Sequence, residues 1–274
     1  MTTWIIHHEA ILRLGAFAVM LGLLTVGELL TPRRPLTASK AVRWYSNLGL
    51  VFVNSLTLRW SFPILAVGFA SLAQERQWGL FNNIAAPTAV RIIASLLVLD
   101  CAIYLQHVMF HAVPLLWRLH RMHHTDLDYD LTTGLRFHPV EIMLSMGIKI
   151  GVVAVLGPPA VAVVLFEIIL NLTAMFNHSN IMLPLHVDRM LRWFLVTPDM
   201  HRVHHSVIHK ESDSNFGFSV PWWDYLFGTY RAQPQQGHAD MTIGLKEFRD
   251  PKYLHLVWLF VQPFLRAEKS ITTK

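Results

Sequence analysis

Three short stretches carry the residues best suited to chemistry: HVMFH at 107–111, HRMHH at 120–124 and HRVHH at 201–205. In the first, His107 and His111 stand four apart, which on a helix sets both imidazoles on one face a turn from each other. His120, His123 and His124, and again His201, His204 and His205, are spaced by three and four, so each triplet projects over one arc if its stretch is helical. His138 in RFHP and His178 in FNHS complete the pattern, and ten of the 16 histidines fall in these five places. Imidazoles gathered in this way point to metal ligation. Interfacial histidines beside lipid headgroups would account poorly for one triplet and hardly at all for two matched ones. One zinc takes about four ligands, so ten histidines imply two ions. An all-imidazole set suits zinc, copper, iron or nickel, and the Glu-x-x-His pairs of soluble di-iron bundles are absent. The residues alone therefore describe a dinuclear, nitrogen-rich centre.

Other histidines read differently. His186, His209, His238 and His255 stand alone, as surface or capping residues do. HHEAIL at 7–12 resembles the HExxH zinc-protease pattern but has Leu12 where the second histidine belongs. The single cysteine, Cys101, excludes an intrachain disulfide and a cysteine-rich zinc or iron–sulfur site. Candidate partners for the ligand imidazoles are Tyr104, on the face of His107, together with Asn177, Asp199 and Asn215. Asp126, Asp128 and Asp130 are expected to solvate the loop after the first triplet or to cap the next turn. Trp222, Trp223, Tyr225 and Phe227 form an aromatic knot suited to the membrane interface, with the lining of a substrate entrance as the sharper alternative.

The elements that must position these residues belong to a membrane protein. The chain has 274 residues, of which 53% are hydrophobic and only 15% charged, against roughly 25% charged in soluble domains. Its net charge is +5, but no basic block is interleaved with aromatics, so nucleic acid is not an expected partner. Apolar segments over about 11–30, 48–72 and 88–110 are long enough to span a bilayer, and the first lacks a signal-peptide cleavage pattern. Segments at about 139–156 and 160–175, joined by Gly157-Pro158-Pro159, read as a shorter helical hairpin. Arg33, Arg34, Lys40 and Arg43 place the loop after the first span in the cytoplasm by the positive-inside rule. Parity then puts every clustered histidine on that side. Charges inside the bilayer should pair: Lys149 with Glu167, equidistant from the hairpin turn, and Arg59 with Asp100, equidistant from the loop at 73–87. KYLHLVWLFVQPF, too short to span, is expected as an interfacial or packed helix. The expected fold is one all-α integral membrane domain over 1–274: three transmembrane helices, the hairpin, and a cytoplasmic helical cap at about 111–138 and 179–274 holding the dinuclear site.

At the level of whole motifs, the HxxxH, HxxHH and HxxHH boxes, with LLWRLHRMHH, TTGLRFHPVE, TPDMHRVHHS, NFGF and WWDYLFGTYR around them, resemble bacterial members of the fatty acid hydroxylase/sterol desaturase superfamily over roughly 95–232. The resemblance implies a multi-pass enzyme of the bacterial inner membrane with a di-iron centre, zinc being found in some purified relatives. It implies O₂ as co-substrate, a membrane lipid as substrate, and a separate electron donor such as a ferredoxin, cytochrome or reductase, since no segment long enough for a fused haem domain is expected. The ligands it implies are His107, His111, His120, His123, His124, His178, His201, His204 and His205, with His138 at the family's RxHP position. Met182 stands where some members carry a further histidine, which leaves that position to water or His138. The expected reaction is hydroxylation of a fatty acyl, sterol-like or other lipid C–H bond. Desaturation is the alternative of the same class, and a non-catalytic membrane metal-binding or transport protein the alternative of another. A transporter would string its ligands along a path through the membrane, whereas these gather on one face.

Overall fold

The computed structural model describes residues 2–266, so 267–274 of the expected cap lie outside the described residues. The described chain is helical, with two isolated bridges, Pro32–Ile181 and Ser206–Ile243, and no longer strand. In order come α1 (Thr2–His7), α2 (Glu9–Leu30), α3 (Lys40–Ser61), α4 (Ala66–Glu75), α5 (Leu80–Asn83), α6 (Thr88–Ala112), α7 (Pro114–His124), α8 (Pro139–Leu156), α9 (Ala160–Asn177), α10 (Leu185–Leu191) and α11 (Pro198–His204). Among the described residues, five segments are long and apolar enough to cross a membrane by length and composition: α2, the stretch Lys40–Asn83, α6, α8 and α9.

The second expected span is broken. Pro63 has no N–H to continue the helix and forces extended backbone on Phe62 (φ −123°, ψ 116°), so α3 stops at Ser61 and α4 begins at Ala66. The hairpin turn forms at the expected Gly-Pro-Pro. Gly157 ends α8 in the left-handed conformation (φ 61°), and Pro159 leads into α9. A side chain at Gly79, on the neighbouring loop, would collide with the backbone of Gly157.

α9 is the most buried of the five and packs against α2, α4 and α6. The largest core cluster joins Ala66, Val67 and Ala70 of α4 to Leu99 and Ile103 of α6, Val153 of α8 and Val163, Val164 and Phe166 of α9. Small residues at these contacts let backbones approach closely, as packing between membrane helices requires. Lys149 Nζ lies 2.6 Å from Glu167 Oε1, the expected pair, and Arg13 also reaches Glu167. Arg59 and Asp100 do not pair. The buried Asp100 carboxylate accepts a 2.8 Å hydrogen bond from the Trp223 indole instead. After α11 the chain folds back over the histidine face, and its last helix, Leu256–Val261, packs against α3 with Leu50, Met122 and Leu259 buried between them.

Candidate metal centre

Proline at the first helical position sets the start of two of the histidine-bearing helices. α7 begins at Pro114 immediately after the single connecting residue Val113, so the turn folds His120 and His124 back against His107 and His111 at the end of α6. α11 begins at Pro198, where the Thr197 hydroxyl accepts from the Met200 N–H. His178 is the residue just past α9. Glycine is required at 134, because a side chain there would strike the Ala174 carbonyl and crowd the His178 ring.

Nine histidines converge as two groups. His107, His111, His120, His124 and His204 offer ring nitrogens all within 4.8 Å of one another, and so do His123, His178, His201 and His205. The two triplets are shared in opposite senses. α7 gives its i, i+4 pair, His120 and His124, to the first group and His123 to the second. α11 gives its i, i+4 pair, His201 and His205, to the second group and His204 to the first. Neighbouring helical positions point about 100° apart, so one triplet can serve two centres, and two triplets clamp both from opposite sides.

Six of the nine rings are oriented from behind. His107 Nδ1 donates to the Phe216 carbonyl (2.8 Å), His201 Nδ1 to that of Asn215 (3.2 Å) and His204 Nδ1 to that of Ser214 (2.7 Å), three consecutive residues of one loop. His178 Nδ1 donates to the Ala174 carbonyl at 2.7 Å. Carboxylates face two more: Glu141 Oε1 lies 2.7 Å from His120 Nδ1, and Asp213 Oδ1 lies 3.3 Å from His111 Nδ1, whereas the buried Nδ1 atoms of His123 and His205 have no hydrogen-bond partner. A ring whose Nδ1–H is given to an oxygen carries its lone pair on Nε2. Yet His107 Nε2 and His120 Nε2 face each other at 3.1 Å, and the buried Nε2 atoms of His201 and His204 have no hydrogen-bond partner. His178 Nε2 lies 3.1 Å from His123 Nε2 and 3.2 Å from His205 Nε2. Lone pairs aimed at one another in a buried site repel unless a cation lies among them. The donor set therefore fits two metal ions, with an all-imidazole chemistry that suits zinc, copper, iron or nickel. Burial pushes His123, His124, His201, His204 and His205 well below the ordinary imidazole range and His178 down to about 3. Neutral rings are what ligation needs.

The tenth expected ligand, His138, stands outside both groups. Its Nδ1 accepts the Val140 N–H as the N-cap of α8 and its Nε2 donates to the Phe260 carbonyl, so both nitrogens are engaged. The expected orienting residues also change. Tyr104 hydrogen-bonds Thr229, and Asn177 donates to the Phe218 carbonyl. Asp199 binds Arg33 and Arg202, and Asn215 acts through its backbone, held at φ 53°. Asp126 and Asp130, far from solvating a loop, are fully buried around Arg43, and Asp128 receives the N–H groups of Thr37 and Ala38. Glu141 and Asp213 escape the sequence reading, although Glu141 sits in the quoted TTGLRFHPVE, three residues after His138, and a carboxylate beside a histidine motif is a signal of outer-shell support. Replacing Glu141 by glutamine is expected to weaken metal retention about tenfold while the fold persists. Titration with a chelator would read this, and unchanged retention would remove Glu141 from the role.

A cavity of about 660 Å³ rises from this centre between α2, α3, α6, α8 and α9. His107, His120, Phe137 and Glu141 close its lower end, and Leu14, Ser55 and Arg59 are exposed at its rim. None of the aromatic knot at 222–227 lines it. Trp222 instead donates to the Trp193 carbonyl, and Phe227 stacks on Tyr104.

A family model described as fatty acid hydroxylase matches residues 92–229, half of the chain. Ornithine lipid hydroxylase OlsE of Rhizobium tropici is 26% identical over 158 residues, which are 57% of this chain and 46% of that one. Alkylglycerol monooxygenase of Homo sapiens is 31% identical over 164 residues, 58% of this chain and 36% of that one. The Xenopus tropicalis alkylglycerol monooxygenase is 34% identical over 150 residues, 54% and 32% of the two chains. The chain thus spans less than half the length of each of these relatives. No solved structure matches.

Proposed function

The chain belongs to the fatty acid hydroxylase family, and from that premise we propose that it is an integral membrane oxidoreductase that hydroxylates a C–H bond of a membrane lipid. Two histidine-held irons are the proposed cofactor and O₂ the co-substrate. The observation that carries this reading is the cavity itself: it lies among apolar helices long enough to span a membrane, has exposed residues at its rim, and is lined by His107 and His120. An alkyl chain entering from the bilayer reaches the metal centre without crossing water.

Bound iron would supply the oxidation of an unactivated C–H bond, chemistry that no side chain here offers. The chain's own residues bind and orient. Ile103, Phe110, Leu135, Phe137, Met146 and Phe218 present apolar surface to the substrate and keep water out, and Glu141 holds the His120 ring in place. The nine histidines of the two groups are the proposed ligands, five to one ion and four to the other. Hydroxylation is favoured over desaturation because the relatives are named for a hydroxylase and a monooxygenase, one acting on an ornithine lipid and one on alkylglycerols. Electrons come from a separate ferredoxin, cytochrome or reductase. The basic run Arg33, Arg34, Lys40 and Arg43 supports a cytoplasmic histidine face, and a bacterial inner membrane is the proposed location.

The test is lipid profiling of a host expressing the protein with iron supplied, grown under isotopically heavy O₂. A lipid class that gains one heavy oxygen atom, absent from the empty-vector host, is the expected result. Lipids unchanged while the protein is present with its metal would defeat the reading.

A further inference from the structure

The upper end of the cavity is charged. Glu9, Arg13, Arg59, Lys149 and Glu167 all line it, in a region where the surrounding helices are apolar and an ionised group is costly. Four of the five form a continuous chain: Arg13 lies 3.0 Å from Glu9 and also meets Glu167, and Lys149 lies 2.6 Å from Glu167. Two cations and two carboxylates balance there. Arg59 is left over, with no ion pair among the described residues and its side chain at the exposed rim. Arg13 Nε, moreover, is buried without a hydrogen-bond partner. One positive charge and one unused donor therefore face the cavity.

The two ends lie along the same helices. On α8 the cavity is lined by Glu141, Ile142, Ser145, Met146 and Lys149, one face of the helix from the metal centre to the charged end. Eight residues of rise separate Glu141 from Lys149 by about 12 Å, about ten carbons of extended alkyl chain built from C–C bonds of about 1.5 Å. On α3, Asn54 donates to the Phe137 carbonyl at the cavity floor, and Arg59 stands five residues higher.

We propose that this charged end is a subsite for the anionic group of a single-chain lipid, a carboxylate or a phosphate, with Arg59 as its specificity-determining residue. Held there, the lipid extends its chain downward and presents to the metal centre a carbon about six to ten positions away, the lower figure from the five-residue rise between Asn54 and Arg59 and the higher from that between Glu141 and Lys149. The inference rests on reading the cavity as the lipid site. It adds that the substrate is measured from its anionic end. A neutral lipid of equal length would fill the same apolar walls and leave Arg59 unmatched.

The experiment is displacement of a fluorescent fatty acid from the full-length, metal-loaded protein in detergent, with metal content measured on each preparation. The competitors are a long-chain fatty acid, the alcohol of the same length and a lysophosphatidate. The acid or the lysophosphatidate should bind about tenfold more tightly than the alcohol, and whichever does so identifies carboxylate or phosphate as the anionic group. R59Q should erase that preference, leave alcohol binding unchanged and retain full metal. In turnover, the hydroxyl should keep a constant distance from the anionic group across chains of different length. Equal binding of acid, phosphate and alcohol to the wild-type protein would overturn the subsite, as would an R59Q protein that keeps the preference. Absence of metal from the wild-type protein would instead strike the proposed function, so the two failures are distinguishable.

Discussion

His204→Ala is expected to lower bound metal from about two ions per chain to about one and to abolish lipid oxidation. His204 is the sole contribution of α11 to the five-histidine group. Its Nδ1 is fixed by the Ser214 carbonyl at 2.7 Å, and its buried Nε2 has no partner other than the place where an ion would sit. Removing the ring leaves the four-histidine group intact, so the loss should be confined to one ion. Removal of a hydrogen-bonding partner behind a ligand weakens a metal site by about 10–100-fold, and deletion of the ligand itself should exceed that range. The informative control is His138→Ala. His138 stands at the family's RxHP position, among the candidate metal residues, whereas its nitrogens serve as the cap of α8 and as a donor to Phe260. That variant should keep both metals and lose about 1 kcal/mol of stability, the usual cost of a missing cap. Metal analysis of the two purified variants decides the matter. Equal metal in His204→Ala and wild-type protein would show that the two-group clamp is not the binding arrangement.

Much of the arrangement is legible in the sequence where periodicity or covalent geometry determines it. Spacings of three and four on a helix put His107 with His111 and His120 with His124, and Gly157 followed by two prolines can only be a turn. The Lys149–Glu167 pair follows from that turn, because an antiparallel hairpin equates depth on its two arms. The same reasoning fails for Arg59 and Asp100. Equal distance from a loop specifies depth but not the direction in which a side chain points, and the break at Pro63 changes the course of the helix just beyond Arg59. The orienting groups fail for a different reason. Four of the six are the carbonyls of Ala174, Ser214, Asn215 and Phe216, and a carbonyl is common to every residue type, so side-chain identity cannot reveal it. The left-handed backbone of Asn215 is the one local sign, since asparagine tolerates that conformation better than most residues. The division of each triplet between two ions was equally hidden, because it depends on how α7 and α11 face each other across the centre.

Arg43→Met should cost about 3–5 kcal/mol of stability, the range for removing one partner of a buried ion pair, and the loss should carry the metal with it. The guanidinium has no exposed surface. It grips Asp126 with two nitrogens, at 2.6 and 2.9 Å, reaches Asp130 at 2.5 Å and donates to Thr133 at 3.1 Å. These partners lie in the segment that leaves His124 and returns to α8, so Arg43 anchors the first triplet to α3. The pH dependence gives the prediction its sharpest form. Burial raises the Asp126 carboxyl, but Arg43 and Arg136 outweigh that and hold it below its ordinary value of 3.8. In the wild-type protein this carboxylate therefore contributes stability that is present above pH 3.8 and lost as pH falls through its lowered value. With methionine at 43 the larger opposing influence is gone, and only Arg136 and the Thr133 hydroxyl still offset burial, the largest single influence on this carboxyl. The sign then reverses, and the variant should recover part of its deficit as the pH is lowered from neutrality and Asp126 takes up a proton. Thermal unfolding in detergent, followed across pH for both proteins, would read the two slopes. Parallel curves would mean that Arg43 contributes packing alone, and that the first triplet is held by contacts other than this buried charge cluster.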